Sequence, residues 1–193
     1  MKACSIAPLD NPNGDNANGD NANGTFDGVG GNSPVNASRF ATTAFDRLRI
    51  LETYRRIGMV GLSSNPFRPS HYAAIYLISE GYDVIPVNPG EEEILGRKSY
   101  PSLSAIPGGV EIVDIFREPA AVPPIVEEAI AIGAKVIWMQ LGVIHEQSAE
   151  RACNAGLEVV MDRCMKIEHA RFFGGLNTIG MNTAVISSHR RRR

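Results

Sequence analysis

Five apolar runs of strand length constrain this chain most: IGMVGL (57–62), YDVIPV (82–87), VEIVDIF (110–116), KVIWMQL (135–141) and LEVVM (157–161). None alternates cleanly between apolar and polar residues, so each is expected to be buried on both faces. A parallel sheet covered by helices meets that condition. The stretches between the runs supply the helices. AFDRLRILETYRR, ahead of the first run, places Phe45, Leu48, Ile50 or Leu51 and Tyr54 at helical spacing. Tyr72 to Glu80 is stopped by Gly81, Pro123 and Pro124 suit the first turn of a helix reaching Ile132, and Glu146 to Ala155 ends at Gly156. A helix is expected after each strand. These repeating units predict a doubly wound α/β fold: about five parallel strands in one sheet, with helices on both faces. Such sheets hold ligands beyond the carboxyl ends of their strands.

The ends of the chain differ from this core. With 193 residues, 44% of them hydrophobic, and a formal charge of −2, one domain over residues 39–187 is expected, flanked by two tails. Residues 1–38 contain the repeat DNPNGDNANGDNANG, whose small polar residues bury too little apolar surface to offset the entropy of ordering, so a disordered tail is expected. The repeat lacks the bidentate glutamate that closes an EF-hand loop, which argues against calcium. Residues 188–193 end in Arg190 to Arg193. Four terminal arginines on a slightly acidic chain read as a solvated tail, and a nucleic-acid partner is not expected. The first ten residues, MKACSIAPLD, lack the apolar core of a signal peptide and no later run approaches the roughly 18 residues of a membrane span, so no membrane association and a cytoplasmic location are the default. Cys4, Cys153 and Cys164 show neither disulfide nor zinc spacing, and no metal is expected.

The residues just after each strand then describe the ligand. VGLSSNPFRPSH begins with Gly61 but lacks the later glycines of a G-x-G-x-x-G loop. Ser63, Ser64 and Asn65 can supply hydroxyl, amide and backbone donors to a diphosphate at a helix N-terminus, while Pro66 and Pro69 stiffen the turn. A plain strand-to-helix turn with polar caps explains the loop equally well. After the second strand a NAD site places an acid that accepts from the ribose; this chain has Asn88 and Pro89. A neutral residue suits a ribose that carries a phosphate, which a carboxylate would repel. Arg97 and Lys98 are cations within reach of such a phosphate or, alternatively, plain surface charges, and Glu91, Glu92 and Glu93 lie between. Phe116 and Arg117 follow the third strand. Arg117 can clamp a phosphate with paired donors, with pairing to Glu118 or Asp114 as the structural alternative. Trp138 reads as core, and Gln140 and Gly142 come where the fourth strand opens toward the crevice.

Together, VGLSSNPFRPSH, GYDVIPVNP, FRE, VIWMQLGV and MDRCMKIEH resemble the CoA-binding domain proteins. This small stand-alone family, the bacterial YccU-like proteins, is related to the CoA-binding domain of succinyl-CoA synthetase. The resemblance covers about residues 45–173 and implies a Rossmann-like domain that binds coenzyme A (CoA), with the first loop around its phosphates. It implies Gly61, Ser63, Ser64, Asn65, Pro66 and Arg68 in that loop, Asn88 and Pro89 at the second strand, and Phe116 and Arg117 at the third. Gln140, Gly142, Asp162, Arg163, Cys164 and Glu168 complete the set. The 175–187 segment and the N-terminal repeat fall outside the match.

No nucleophile with an orienting base stands out, so no catalytic residue is assigned. His71 starts the first helix of the repeat, His145 lies in a loop and His169 on a surface helix. Glu168 is expected to pair with Arg163 or Arg171. Cys164 follows a strand, opens a helix and neighbours Arg163, three conditions that lower a thiol pKa, so a mixed disulfide with the CoA thiol is a further expectation. The reading is a non-catalytic module that binds CoA or an acyl-CoA, regulatory in character. The alternatives are an NAD(P)-binding oxidoreductase or redox sensor on the same fold, and an interaction protein with a vestigial nucleotide site. Whether the chain forms a homodimer or serves a partner acyl-CoA enzyme is left open.

Overall fold

The computed structural model describes residues 43–173. The Asn/Gly-rich repeat, the 175–187 segment and the arginine tail lie outside the described residues. Thr43 opens the first helix, α1 (Ala44–Thr53), with a capping box: its hydroxyl accepts from Asp46 N–H, and the Asp46 carboxylate accepts from Thr43 N–H. The buried face of α1 is Arg47, Ile50 and Leu51. Phe45, expected on that face, is exposed, because the helix is rotated to bring Arg47 against Glu168 at 2.8 Å.

Five parallel strands follow: β1 (Arg56–Val60), β2 (Asp83–Val87), β5 (Ile112–Ile115), β6 (Val136–Met139) and β7 (Glu158–Val160), in the order β2-β1-β5-β6-β7. Helices α2 (Pro69–Ser79), α3 (Val122–Ala131), α4 (Glu146–Asn154) and α5 (Met165–Phe173) cover them. Pro69 stands at the first helical position of α2, and Pro123 and Pro124 lie in the first turn of α3, where their missing N–H groups cost nothing. Alternate residues of each strand feed two cores. Val113, Ile115, Ile137 and Met139 face α3 and α4, whereas Ile57, Met59, Ile112 and Trp138 face α1, α2 and α5. The doubly wound sheet is as expected, and Trp138 is fully buried, its indole N–H donating to Arg163 O at 2.7 Å.

The connection after β2 departs from expectation, because no helix follows it. The chain instead forms a hairpin, β3 (Glu93–Ile94) and β4 (Arg97–Lys98), closed by Leu95 and Gly96 with φ of 54° and 68°, a turn with both central residues left-handed. It then crosses over β1 in irregular conformation, burying Leu103, Ile106 and Val110 against the sheet. Gly58 makes room for that crossing. A Cβ there would lie 2.9 Å from Leu103 Cδ2 and 3.2 Å from Val110 Cγ1. Both neighbours are buried, so Gly58→Val is expected to cost about 1–3 kcal/mol by overpacking. An unchanged urea midpoint would contradict this close approach.

Candidate functional site

The chain leaves β1 for β2 on one side and returns to β5 on the other, so a crevice opens between the carboxyl ends of β1 and β5. Gly61 starts the loop there. Its φ is +87°, and a Cβ would meet Arg117 Cδ at 2.9 Å and Phe116 O at 3.0 Å. Only glycine lets the loop pass over the arginine stem. The structure therefore brings Gly61, Phe116 and Arg117 together. The Arg117 head is exposed, and among the described residues it has no ion pair or hydrogen bond. The alternative pairing with Glu118 or Asp114 is not what the side chain does.

The backbone donors of Ser63, Ser64 and Asn65, expected to point at a ligand, are already occupied. Ser63 N–H donates to Ser70 Oγ at 3.3 Å, and Asn65 N–H to Ser63 Oγ at 3.2 Å. Ser64 N–H donates to the Glu91 carboxylate at 3.2 Å. Asn65 Oδ1 accepts from Phe67 N–H, an Asx turn that carries the chain into α2. His71 Nδ1 donates to Ser63 O at 2.9 Å, which fixes the proton on that nitrogen and ties the helix to the loop. Outward-facing groups remain: Ser64, Asn65, Pro66 and Arg68 are exposed.

At the end of β2, Asn88 Nδ2 donates to Leu62 O at 3.0 Å and to Glu91 at 3.3 Å, locking the second strand end to the first loop. An open cavity of ≈ 500 Å³ lies beside it, lined by Asn88, Pro89, Gly90, Glu91, Glu92, Lys98, Ser99 and Pro101. Lys98 thus joins Asn88 and Pro89. Arg97 does not: it bonds Asp83 at 3.0 Å and Val84 O at 3.3 Å, at the amino end of β2. The chain from Arg97 to Tyr100 runs alongside β2, with Tyr100 paired to Val87, so Arg97 sits about 10 Å below the rim at 3.3 Å per residue. It leaves the candidate set.

A second group forms where β6 and β7 end. Gly142 N–H donates to Asp162 Oδ1 at 2.8 Å, which holds Asp162 at a φ of 55°. Gln140 is buried and donates from Nε2 to Asp114 Oδ1 at 2.7 Å, so it supports the floor and does not reach the crevice. Asp114 Oδ2 is buried with no partner, and burial pushes this carboxyl up to about 7 against the pull of Gln140. Sequence reasoning passed over Asp114 except as a partner for Arg117. The signal available was a carboxylate, Asp114, in the middle of the apolar run VEIVDIF. Burial also raises the Cys164 thiol, and nearby Asp114 adds to this, outweighing the N–H groups of Ile167 and Lys166 that point at the sulfur. The expected low thiol pKa is thus corrected: the helix terminus acts in the expected direction, but desolvation is larger. Glu168 pairs with Arg171 at 3.2 Å as expected, and with Arg47 in place of Arg163. His169 is not on the surface. It is buried, bonds Tyr76 Oη at 3.0 Å and stacks on Phe173, and burial lowers its pKa. His145 caps α4, its Nδ1 accepting from Ser148 N–H.

A parallel α/β sheet with a polar loop, a neutral second strand end and an exposed arginine around its switch point is the architecture of a nucleotide-binding domain. The chain belongs to the CoA binding domain family, whose model matches residues 55–170. It is 40% identical over 121 residues to the uncharacterized protein YneT of Bacillus subtilis (strain 168), across 63% of this chain and 90% of that one. Among solved structures, Prb, the PH1109 protein redesigned for binding, is 44% identical with a TM-score of 0.69, covering 70% of this chain and 96% of its own. A hypothetical protein from Pyrococcus horikoshii OT3 is 41% identical with a TM-score of 0.67, covering 74% and 98%. Among the described residues, no helix is long and apolar enough to cross a membrane.

Proposed function

We propose that the chain binds CoA or an acyl-CoA as a non-catalytic module, holding the diphosphate between the Gly61–Arg68 loop and Arg117. The observation that carries this is the exposed Arg117 guanidinium, pinned under Gly61 at the switch point of a domain of this family. The 3′-phosphate falls to Lys98 and the cavity beside Asn88 and Pro89. Each described histidine is engaged in the framework, with Ser63, Ser148 or Tyr76, and Cys164 caps α5. These engagements favour a holder of the ligand over a reactive centre. The product of such holding is a displayed CoA thioester, which suits regulation or a partner acyl-CoA enzyme.

Glu91 sets the terms of entry. Its carboxylate sits on Ser64 N–H, where a phosphate oxygen belongs, so ligand binding has to displace it. Glu91→Gln is expected to tighten CoA binding by about 3- to 10-fold, since a like charge leaves the phosphate position. The same carboxylate is the one observation favouring the second reading, a NAD(P)-binding oxidoreductase, because an acid near the second strand end accepts from a ribose hydroxyl. The two readings predict opposite signs: under the second, Glu91→Gln weakens nicotinamide binding. Calorimetric titration with CoA, dephospho-CoA and NADPH separates them. CoA bound tightest, and tighter in the variant, supports the proposal; NADPH bound tightest, and weaker in the variant, overturns it.

A further inference from the structure

Away from the first loop, a cavity of ≈ 20 Å³ lies at the carboxyl ends of β6 and β7, and Arg47, Leu141, Arg163, Cys164, Glu168 and Arg171 line it. Three guanidiniums there face one carboxylate. Both Glu168 oxygens are taken, Oε2 by Arg47 at 2.8 Å and Oε1 by Arg171 at 3.2 Å. Glu168 and Arg171 are almost withdrawn from water, at 3% and 13% side-chain exposure. The Arg163 guanidinium donates only to the carbonyl of Asp162, at 3.3 Å, among the described residues. Positive charge in a partly desolvated pocket attracts an anion more strongly than the same charge in water. The volume sets the size of that anion, because it admits about one water-sized group, enough for a carboxylate oxygen and too little for a phosphate.

The position sets its source. This cavity opens on the same rim as the Gly61–Arg68 loop, two to three strand spacings along the sheet, or about 10–14 Å at about 4.8 Å per strand. A pantetheine arm of about a dozen covalent bonds spans a similar distance, on the order of 15 Å. We infer that the preferred ligand is an acyl-CoA whose acyl group ends in a carboxylate, which the Arg163 and Arg171 guanidiniums receive. This rests on the reading of the first loop as the diphosphate site. With the diphosphate there, the thioester lies by Leu141 and Cys164 and the acyl tip enters the cavity. The contact is one of binding alone, and Arg163 is a specificity-determining residue.

The test compares glutaryl-CoA with valeryl-CoA, which share carbon number and differ in the terminal carboxylate, with CoA as reference, by calorimetry on the full chain. Glutaryl-CoA is expected to bind at least about 10-fold tighter than valeryl-CoA, a charge-assisted contact being the difference. Arg163→Gln should erase that preference, while Arg163→Lys retains part of it. Equal affinities of the two thioesters in the unaltered chain, with CoA still bound, overturn this inference and leave the diphosphate reading standing. A preference that survives in Arg163→Gln also overturns it. No binding of CoA in any form removes the diphosphate reading and this inference together.

Discussion

Arg117→Ala is expected to weaken CoA binding by about 10- to 100-fold, the range for a charge-assisted contact to phosphate that a neutral side chain cannot replace. Stability should hardly change. The guanidinium is exposed and has no described partner, so its removal leaves no buried group unsatisfied. The stem passes beneath Gly61, and shortening it opens space without a clash. Calorimetry for affinity and urea unfolding for stability, run on the same preparation, separate the two roles. Unchanged affinity would remove Arg117 from the site, and a loss of several kcal/mol in stability would make it part of the scaffold. Arg117→Lys should fall between, since an ammonium keeps the charge but loses the paired geometry.

The second large effect concerns Asp114. Its carboxyl is fully buried, with Oδ1 bonded to Gln140 and Oδ2 unpartnered, and burial raises its pKa from the ordinary 3.8 to about 7. Between those values the folded chain keeps a proton that the unfolded chain has lost. Stability from this group is therefore complete below about pH 4 and falls as pH rises toward 7, by up to about 4 kcal/mol in all and roughly 3 kcal/mol between pH 5 and 8. Asp114→Asn keeps the shape and the acceptor for Gln140 but cannot ionise. The variant should be more stable than the unaltered chain at pH 8 by a few kcal/mol, and the stability difference between them should shrink toward pH 4. Urea unfolding across that range checks it. A difference that stays constant with pH would mean that Asp114 does not titrate in this window.

The β-α alternation was legible because burial on both faces leaves unbroken apolar runs, and Gly, Pro and polar residues mark the helix ends. The convergence of the first loop with Arg117 was legible for a related reason: in a parallel sheet every strand's carboxyl end lies on one rim, so residues distant in sequence share an edge. The hairpin after β2 was not. EEEILGRK carries a leucine in a left-handed turn position, which β-turn chemistry does not favour, so the residue itself gives no turn signal. Arg97 was misplaced for the same reason, since the register of a two-residue hairpin against β2 is set by packing. Cys164 misled because its neighbours in sequence, Arg163 and the α5 terminus, lower a thiol pKa, whereas the groups that raise it arrive through the fold, Asp114 from 50 residues earlier. His169 looked polar beside Glu168, yet its ring is walled by Tyr76, Tyr82 and Phe173.

The most direct test is a crystal structure of the complex with CoA. The diphosphate is predicted against Ser64, Asn65 and the Arg117 guanidinium, with Glu91 displaced from Ser64 N–H and the 3′-phosphate beside Lys98. Diphosphate held elsewhere on the sheet, or Glu91 still seated on Ser64 N–H with the ligand in place, would contradict the account.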